Sequence, residues 1–269
     1  MNVYDSDFAW PAGAKAAALR IIQVLPKSTP RANCPRIGVA NGTNARAVVG
    51  TVPIEADGSV FFEAPAGKPI YFQALDQRGM AIQSMRSATY VHAGEQLVCR
   101  GCHERKHRSP APCDGLPLAL QRAPSKVRRD AEGSNPFNYV RLVQPVLDRN
   151  CVGCHNEKRA IVLSGTVEGE FGWTLSYRNL APKYGFYFHS GKGSIGAGVH
   201  GGSRTVPGQF GARASKLLDY LDDRHYGVQL AEADYHRLVL WLDCNSEFYG
   251  AYESAPSQSR GELVRPSIE

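Results

Sequence analysis

Two pentads of the form Cys-X-X-Cys-His, Cys99-Arg-Gly-Cys102-His103 and Cys151-Val-Gly-Cys154-His155, constrain this chain more than any other feature. Each puts two thiols and an imidazole on one turn. Two cysteines at that spacing can each bond a vinyl-derived carbon of one porphyrin, while the adjoining histidine swings beneath the ring to bind iron. Cys-X-X-Cys twice over is also a four-thiolate zinc pattern, and a single pair is a redox dithiol. The histidines discriminate: histidine is 8 of 269 residues, so finding it by chance after both pairs has odds on the order of one in a thousand. The residues therefore predict two covalently bound haem c groups. Cys99, Cys102, Cys151 and Cys154 are the attachment points and His103 and His155 the proximal iron ligands.

The occupant of the sixth iron position separates an electron carrier from a site open to chemistry. Met1, Met80 and Met85 all precede the second motif by a long stretch, so methionine is disfavoured there. His225 is the preferred ligand for the second haem, because it follows an expected helix over 212–224 and precedes Val228-Gln-Leu230; His189 and His200 are the rivals. His107 stands four residues beyond His103, on the same helical face if that segment is helical, and is an alternative ligand or neighbour of the first haem. Its basic surroundings favour exposure. Of the remaining cysteines, Cys34, Cys113 and Cys244, at most one pair can close, and Cys244 follows an apolar stretch that favours burial.

Short apolar runs over 17–25, 45–52, 60–63, 70–75 and 80–86, separated by turns such as Asp57-Gly58 and Arg78-Gly79, predict a small all-β sandwich over residues 1–97. The segment 98–135 carries the first motif and a basic connector that drapes over the haems. Asn135 as N-cap and Pro136 as first helical residue predict a helix running to Asn150, straight into the second motif. Residues 164–211 read as long loops. Helices follow over 212–224 and 231–243, closing a mainly α-helical, loop-rich, cytochrome c-like domain over 136–252, with a disordered tail over 253–269. The fold class is α+β.

Charge is modest overall, +6, but residues 100–129 hold eight Lys/Arg against Glu104 and Asp114 alone. A solvated surface is the plainest reading of that run; without interleaved aromatics, nucleic acid is not expected as a partner. No membrane-spanning stretch is expected, since the most apolar early run is broken by Arg20 and Pro26. The polar, acidic start at Met1-Asn-Val-Tyr-Asp does not read as an export signal. Haem attachment generally takes place across the cytoplasmic membrane, so the expectation is an exported or periplasmic chain that is a piece of a longer protein or has a misplaced start.

Residues 18–27 (ALRIIQVLPK), 50–59 (GTVPIEADGS), 69–76 (PIYFQALD), both pentads, 210–215 (FGARAS), 241–245 (WLDCN) and Tyr249-Gly250 resemble the C-terminal dihaem region of hydrazine synthase alpha subunit-like proteins. The likeness covers the chain up to Tyr252. In that family the region follows a β-propeller-like portion and is exported. The resemblance implies that His225, matching a His-before-Val-X-Leu element, completes bis-histidine ligation of the second haem, and that other subunits are partners. The chain has no tyrosine between His103 and Tyr139 to serve as an oxygen ligand near the first motif. Motifs and resemblance together predict an exported dihaem electron-transfer module of a larger redox protein, with a redox partner protein. A catalytic multihaem oxidoreductase with an open first haem, and a zinc-stabilised interaction module, are the alternatives.

Overall fold

A computed structural model describes residues 1–4, 10–101, 115–191, 194–197 and 205–268, with the backbone alone for 189–191 and 194–197. Cys102, His103, His107, Cys113 and His200 lie outside the described residues.

The expected sandwich is instead one four-stranded antiparallel sheet. Its strands are β1 (Ala18–Val24), β2 (Arg46–Pro53), β3 (Ile70–Leu75) and β4 (Ala81–Ser84), in the order β2-β1-β3-β4. The run at 60–63 forms only isolated bridges, Ser59 with Asn2 and Phe62 with Ser125. A second sheet is unnecessary because other elements cover both faces. On one face Leu19, Ile21, Ile70 and Phe72 meet Val3 and Val60; on the other, Ile22, Val48 and Tyr71 join the core of the helical part. Residues two apart in a strand share a face, so β1 and β3 sort their side chains accordingly.

The described part of the connector protects a sheet edge. Thr51 pairs with Arg128, Val48 N–H donates to the Ser134 carbonyl (2.8 Å) and Phe137 N–H to the Arg46 carbonyl (3.1 Å), so residues 125–137 run along the free side of β2. An uncovered edge is a template for unwanted pairing, and this segment fills it.

The helix expected from Pro136 starts later and is broken: α1 spans Tyr139–Leu142 and α2 Gln144–Asn150. Asn138, rather than Asn135, is the cap, its side chain accepting from Arg141 N–H. A hydrogen-bonded turn, with Asn138 N–H on the Gly133 carbonyl (2.7 Å), occupies the preceding residues. The supposed loops of 164–211 contain two short ribbons, β5 (Val167–Glu168) with β6 (Trp173–Thr174) and β7 (Phe188–Gly191) with β8 (Ser194–Ala197), and a ten-residue helix, α3 (Leu175–Tyr184), capped by Thr174. Pro182 inside it and a more polar composition than that of Glu232–Asp243 hide α3 from a periodicity argument. The expected helix over 212–224 is two 3-10 turns, Gly211–Ala214 and Lys216–Tyr220. α4 (Glu232–Asp243) is as expected. The tail is ordered through α5 (Ala255–Ser259), because the buried Gln258 amide bonds Gly250 N–H, Ala251 N–H and the carbonyls of Ala251 and Glu253.

Tyr139, Tyr177, Trp241 and Phe248 form the centre of the main core, with ring centroids 4.9–5.5 Å apart for four of their pairs. Around it the sheet and helices share one core, tied by a buried ionic chain. Arg20, fully buried on β1, donates to Asp243 (3.1 Å), Gln73 (2.9 Å) and the Gly79 carbonyl (3.0 Å). Its Nε stands 3.8 Å from Asp130, which accepts from His236 Nε2 at 2.6 Å. Burial pushes the Asp130 carboxyl up, but the His236 hydrogen bond and the Arg20 charge outweigh it and hold it down at about 2.

A carboxyl depressed by folding contributes stability above its ordinary value of 3.8 and loses it as pH falls toward its folded value. Acid titration of unfolding free energy between about pH 4 and pH 2 is therefore expected to show a loss of about 2 kcal/mol in the native chain that Asp130→Asn does not show. Parallel curves for the two proteins would sink this account.

Candidate haem-binding turn

The second pentad hangs from a well-anchored helix. Leu142, Val143, Val146 and Leu147 are buried, and α2 is fixed to α4 by Arg149 on Asp234 (2.5 Å) and by Asn150 Nδ2 on Asp234 (3.1 Å). Cys151 N–H closes the last helical bond on the Leu147 carbonyl (2.8 Å). The Cys151 carbonyl then accepts from both Cys154 N–H (3.1 Å) and His155 N–H (2.9 Å), so that Cys151, Cys154 and His155 share one tight turn.

The imidazole is oriented by a backbone group that the sequence did not reveal. His155 Nδ1 lies 3.2 Å from the Ile161 carbonyl, with the intervening loop held by Leu163 N–H on the His155 carbonyl (2.9 Å) and Asn156 Nδ2 on the Gly153 carbonyl (3.1 Å). A carbonyl only accepts, so Nδ1 carries the proton and Nε2 is left with its lone pair as a metal donor.

His225 stands opposite. Its ring centroid is 6.0 Å from that of His155, and the planes are within 19° of parallel. Face-to-face contact would bring the rings much closer. Two imidazoles each bonded to one metal at about 2 Å, with ring centroids roughly 1 Å behind the nitrogens, give about 6 Å. His225 is not at a helix end, as expected, but in a turn: its N–H donates to the Asp222 carbonyl (3.1 Å), and Tyr226 (φ +53°) and Gly227 (φ +75°) then reverse the chain. Tyr220 packs edge-on against the His225 ring at 5.3 Å, and Tyr184 against Tyr220 at 5.6 Å. These ring supports lack a sequence signal, because they depend on how the 3-10 turn meets α3.

Both thiols are free; Cys154 is exposed and Cys151 half-buried. Burial, with the neighbouring Cys154 thiol, pushes Cys151 up to about 11. A redox dithiol needs a depressed thiol, and Cys151 is shifted the other way. Among the described residues no three His, Cys, Asp or Glu side chains converge as a metal cage. A Cβ on Gly153 would meet no atom within 4 Å, so space is open beside the turn.

Of the first pentad, Cys99 to Gly101 are described. Asn2 N–H donates to the Cys99 carbonyl (3.2 Å) and Gly101 N–H to the Asn2 carbonyl (2.7 Å). Leu118 and Ala119 are bonded through their N–H groups to the neighbouring Asp57 and Ser59 side chains (both 2.9 Å). Leu97, Val98, Leu116, Leu118 and Leu120 are exposed in these two segments. His189 lies on β7, and its side chain is outside the described residues. Met80 is buried and Met85 partly so, both against the sheet. Cys244 is buried, as expected, and burial raises its thiol to about 12; Cys34 is exposed and free. No helix among the described residues is long and apolar enough to cross a membrane.

A mixed α+β chain, with one antiparallel sheet packed on a loop-rich helical part that presents a dithiol–imidazole turn to a second imidazole, is the class that fold and site define. Residues 14–104 match the family of the hydrazine synthase alpha subunit middle domain, which relates this chain to hydrazine synthase alpha subunit-like proteins. That match falls on the sheet and the whole of the first pentad, whereas the sequence resemblance pointed to a C-terminal dihaem region. The chain is 32% identical over 66 residues to hydrazine synthase subunit alpha of Kuenenia stuttgartiensis, covering 24% of this chain and 8% of that protein. The solved Kuenenia stuttgartiensis hydrazine synthase resembles it in fold, with TM-score 0.59 and 17% identity over 93% of this chain and 42% of the other. The chain thus corresponds to less than half the length of either relative.

Proposed function

We propose that this chain is a dihaem c-type electron-transfer module of a larger redox protein resembling the hydrazine synthase alpha subunit. The single observation that carries it is the near-parallel pair of imidazoles, His155 and His225, 6.0 Å apart beside two free thiols. Cys151 and Cys154 would hold one porphyrin covalently through thioethers, each formed by adding an S–H bond across a vinyl group. His155 and His225 would supply imidazole donors to its iron, and the Ile161 carbonyl keeps His155 in the donor tautomer. Each haem, when bound, supplies a reversible one-electron ferric–ferrous couple. Two imidazole donors would suit the second centre to electron transfer rather than to substrate binding. Cys99, Cys102 and His103 hold the first haem. Haem attachment implies export, and the relatives' designation as a subunit of hydrazine synthase makes other subunits the natural redox partners.

Expression with the cytochrome c maturation machinery, followed by a pyridine haemochrome spectrum and haem staining of a denaturing gel, tests this. Two haems per chain are expected, falling to one in Cys151→Ala/Cys154→Ala. A chain that takes up no covalent haem would overturn the reading, and zinc in its place would favour the interaction-module alternative.

A further inference from the structure

An apolar island interrupts the basic run of residues 100–129. Its eight Lys/Arg side chains lie at or before Arg108 and from Arg122 onward, and residues 115–121 carry no charge. The fold turns that island outward. In the 3-10 turn Leu118–Gln121 the small Ala119 is buried, while Leu118, Leu120 and the preceding Leu116 are 43–64% exposed. A turn shaped for this chain alone would bury the leucines, since each gains more by leaving water than an alanine does.

The outward leucines are held in place. Leu118 N–H donates to the Asp57 carboxylate and Ala119 N–H to the Ser59 hydroxyl (both 2.9 Å). Asn2 reaches the same hub, its Nδ2 donating to the Asp57 carbonyl (3.1 Å), and it also fixes the start of the first pentad, with its N–H on the Cys99 carbonyl (3.2 Å) and its own carbonyl accepting from Gly101 N–H (2.7 Å). Two segments are thus fastened to one hub. The second of them adds Leu97 and Val98, 46% and 80% exposed, directly before Cys99. Single exposed leucines need no explanation, whereas five large apolar side chains on two segments braced to one hub mark a surface that something covers.

Cys99 identifies what covers it. A thioether there would tether one edge of a porphyrin beside Val98, and a flat, mostly apolar macrocycle so tethered has to lie against the neighbouring surface. We infer that Leu97, Val98, Leu116, Leu118 and Leu120 form the apolar bed of the first haem. This rests on the dihaem reading proposed above. By keeping water from the porphyrin, the bed disfavours the more highly charged ferric state and raises the potential of that haem.

Proton NMR of the matured, reduced and carbon monoxide-saturated protein tests it, because both irons are then low-spin and diamagnetic and a methyl lying on a porphyrin face is moved upfield by the ring current. Leucine methyl signals outside the ordinary aliphatic range are expected, lost singly in Leu118→Ala and Leu120→Ala and together in Cys99→Ala/Cys102→Ala. In the Cys151→Ala/Cys154→Ala chain, which keeps the first haem alone, Leu118→Asn/Leu120→Asn is expected to shift the ferric–ferrous equilibrium at least threefold toward ferric. Both leucines are exposed, so neither change threatens the fold. The haem count by pyridine haemochrome separates the two possible failures. Two haems per chain with leucine methyls at ordinary positions and an unmoved potential would overturn the bed and leave the dihaem reading standing; no covalent haem at the first pentad would overturn both. A dimer dispersed by Leu118→Asn/Leu120→Asn, with the methyls unshifted, would give the patch to a second copy of this chain instead.

Discussion

In the haem-loaded protein, His225→Ala is expected to abolish the low-spin spectrum of one of the two haems, turning it high-spin and able to bind carbon monoxide when reduced. The expectation rests on geometry. The two ring centroids are 6.0 Å apart with near-parallel planes, His155 Nδ1 is tied to a carbonyl so that Nε2 is left as donor, and Met80 and Met85 are packed against the sheet. Removing a neutral imidazole opens one position and raises the potential, since the remaining donor stabilises ferric iron less. The other haem should be unaffected. Tyr220→Leu is expected to broaden the change in the same direction without losing the ligand, because Tyr220 restrains the ring from its edge. His189→Ala and His200→Ala are the comparisons. If either of these destroys the low-spin signal while His225→Ala preserves it, the axial assignment is wrong.

Asp243→Ala is expected to destabilise the chain by about 3–5 kcal/mol, read as a shift of the urea midpoint at unchanged slope. Asp243 closes α4, and its carboxylate accepts from Arg20 Nη1 (3.1 Å), Ala81 N–H (2.9 Å) and Ala212 N–H (2.9 Å), joining helix, sheet and a 3-10 turn at one buried point. Burial drives this carboxyl upward, against the pull of Arg20 and the two amides. Without it, the buried Arg20 guanidinium keeps only the more distant Asp130, 3.8 Å from its Nε, as counter-charge, and that penalty dominates the loss. The double variant Arg20→Met/Asp243→Ala should therefore recover part of the stability. A cost below about 1 kcal/mol for the single change would mean that the pair does not pin the sheet to α4. α4 also holds α2 through Asp234, so the same variant is expected to loosen the turn at Cys151 and to lower haem retention at the second site.

The strands were legible where side chains alternate or run apolar over several residues, as at 70–75, and α4 was legible from its spaced Leu and Val positions. The run at 60–63 had the same local composition but pairs only through isolated bridges, because Val60 and Phe62 serve as a lid on the sheet rather than as a strand of a second one. α3 escaped notice, since a helix with Pro182 inside and a buried Ser176 has no clean apolar stripe. The tail read as disordered from its Ser, Pro and Gln content, yet those residues supply the Gln258 and Ser259 hydrogen bonds that hold it down.

By itself, the sequence determined the two Cys-X-X-Cys-His spacings and the β1, β2 and β3 segments, because covalent reach along one turn and period-two burial are properties of neighbouring residues. Tertiary structure alone decided that Asn138 caps α1, that Ile161 orients His155, that His225 meets it across 6.0 Å, and that Asn2, Asp57 and Ser59 fasten the first pentad and the Leu118 turn to one hub. Each of those depends on groups far apart in the chain or on backbone carbonyls that every residue carries. Which of them meet is set by the packing of a common core, and no local pattern encodes that.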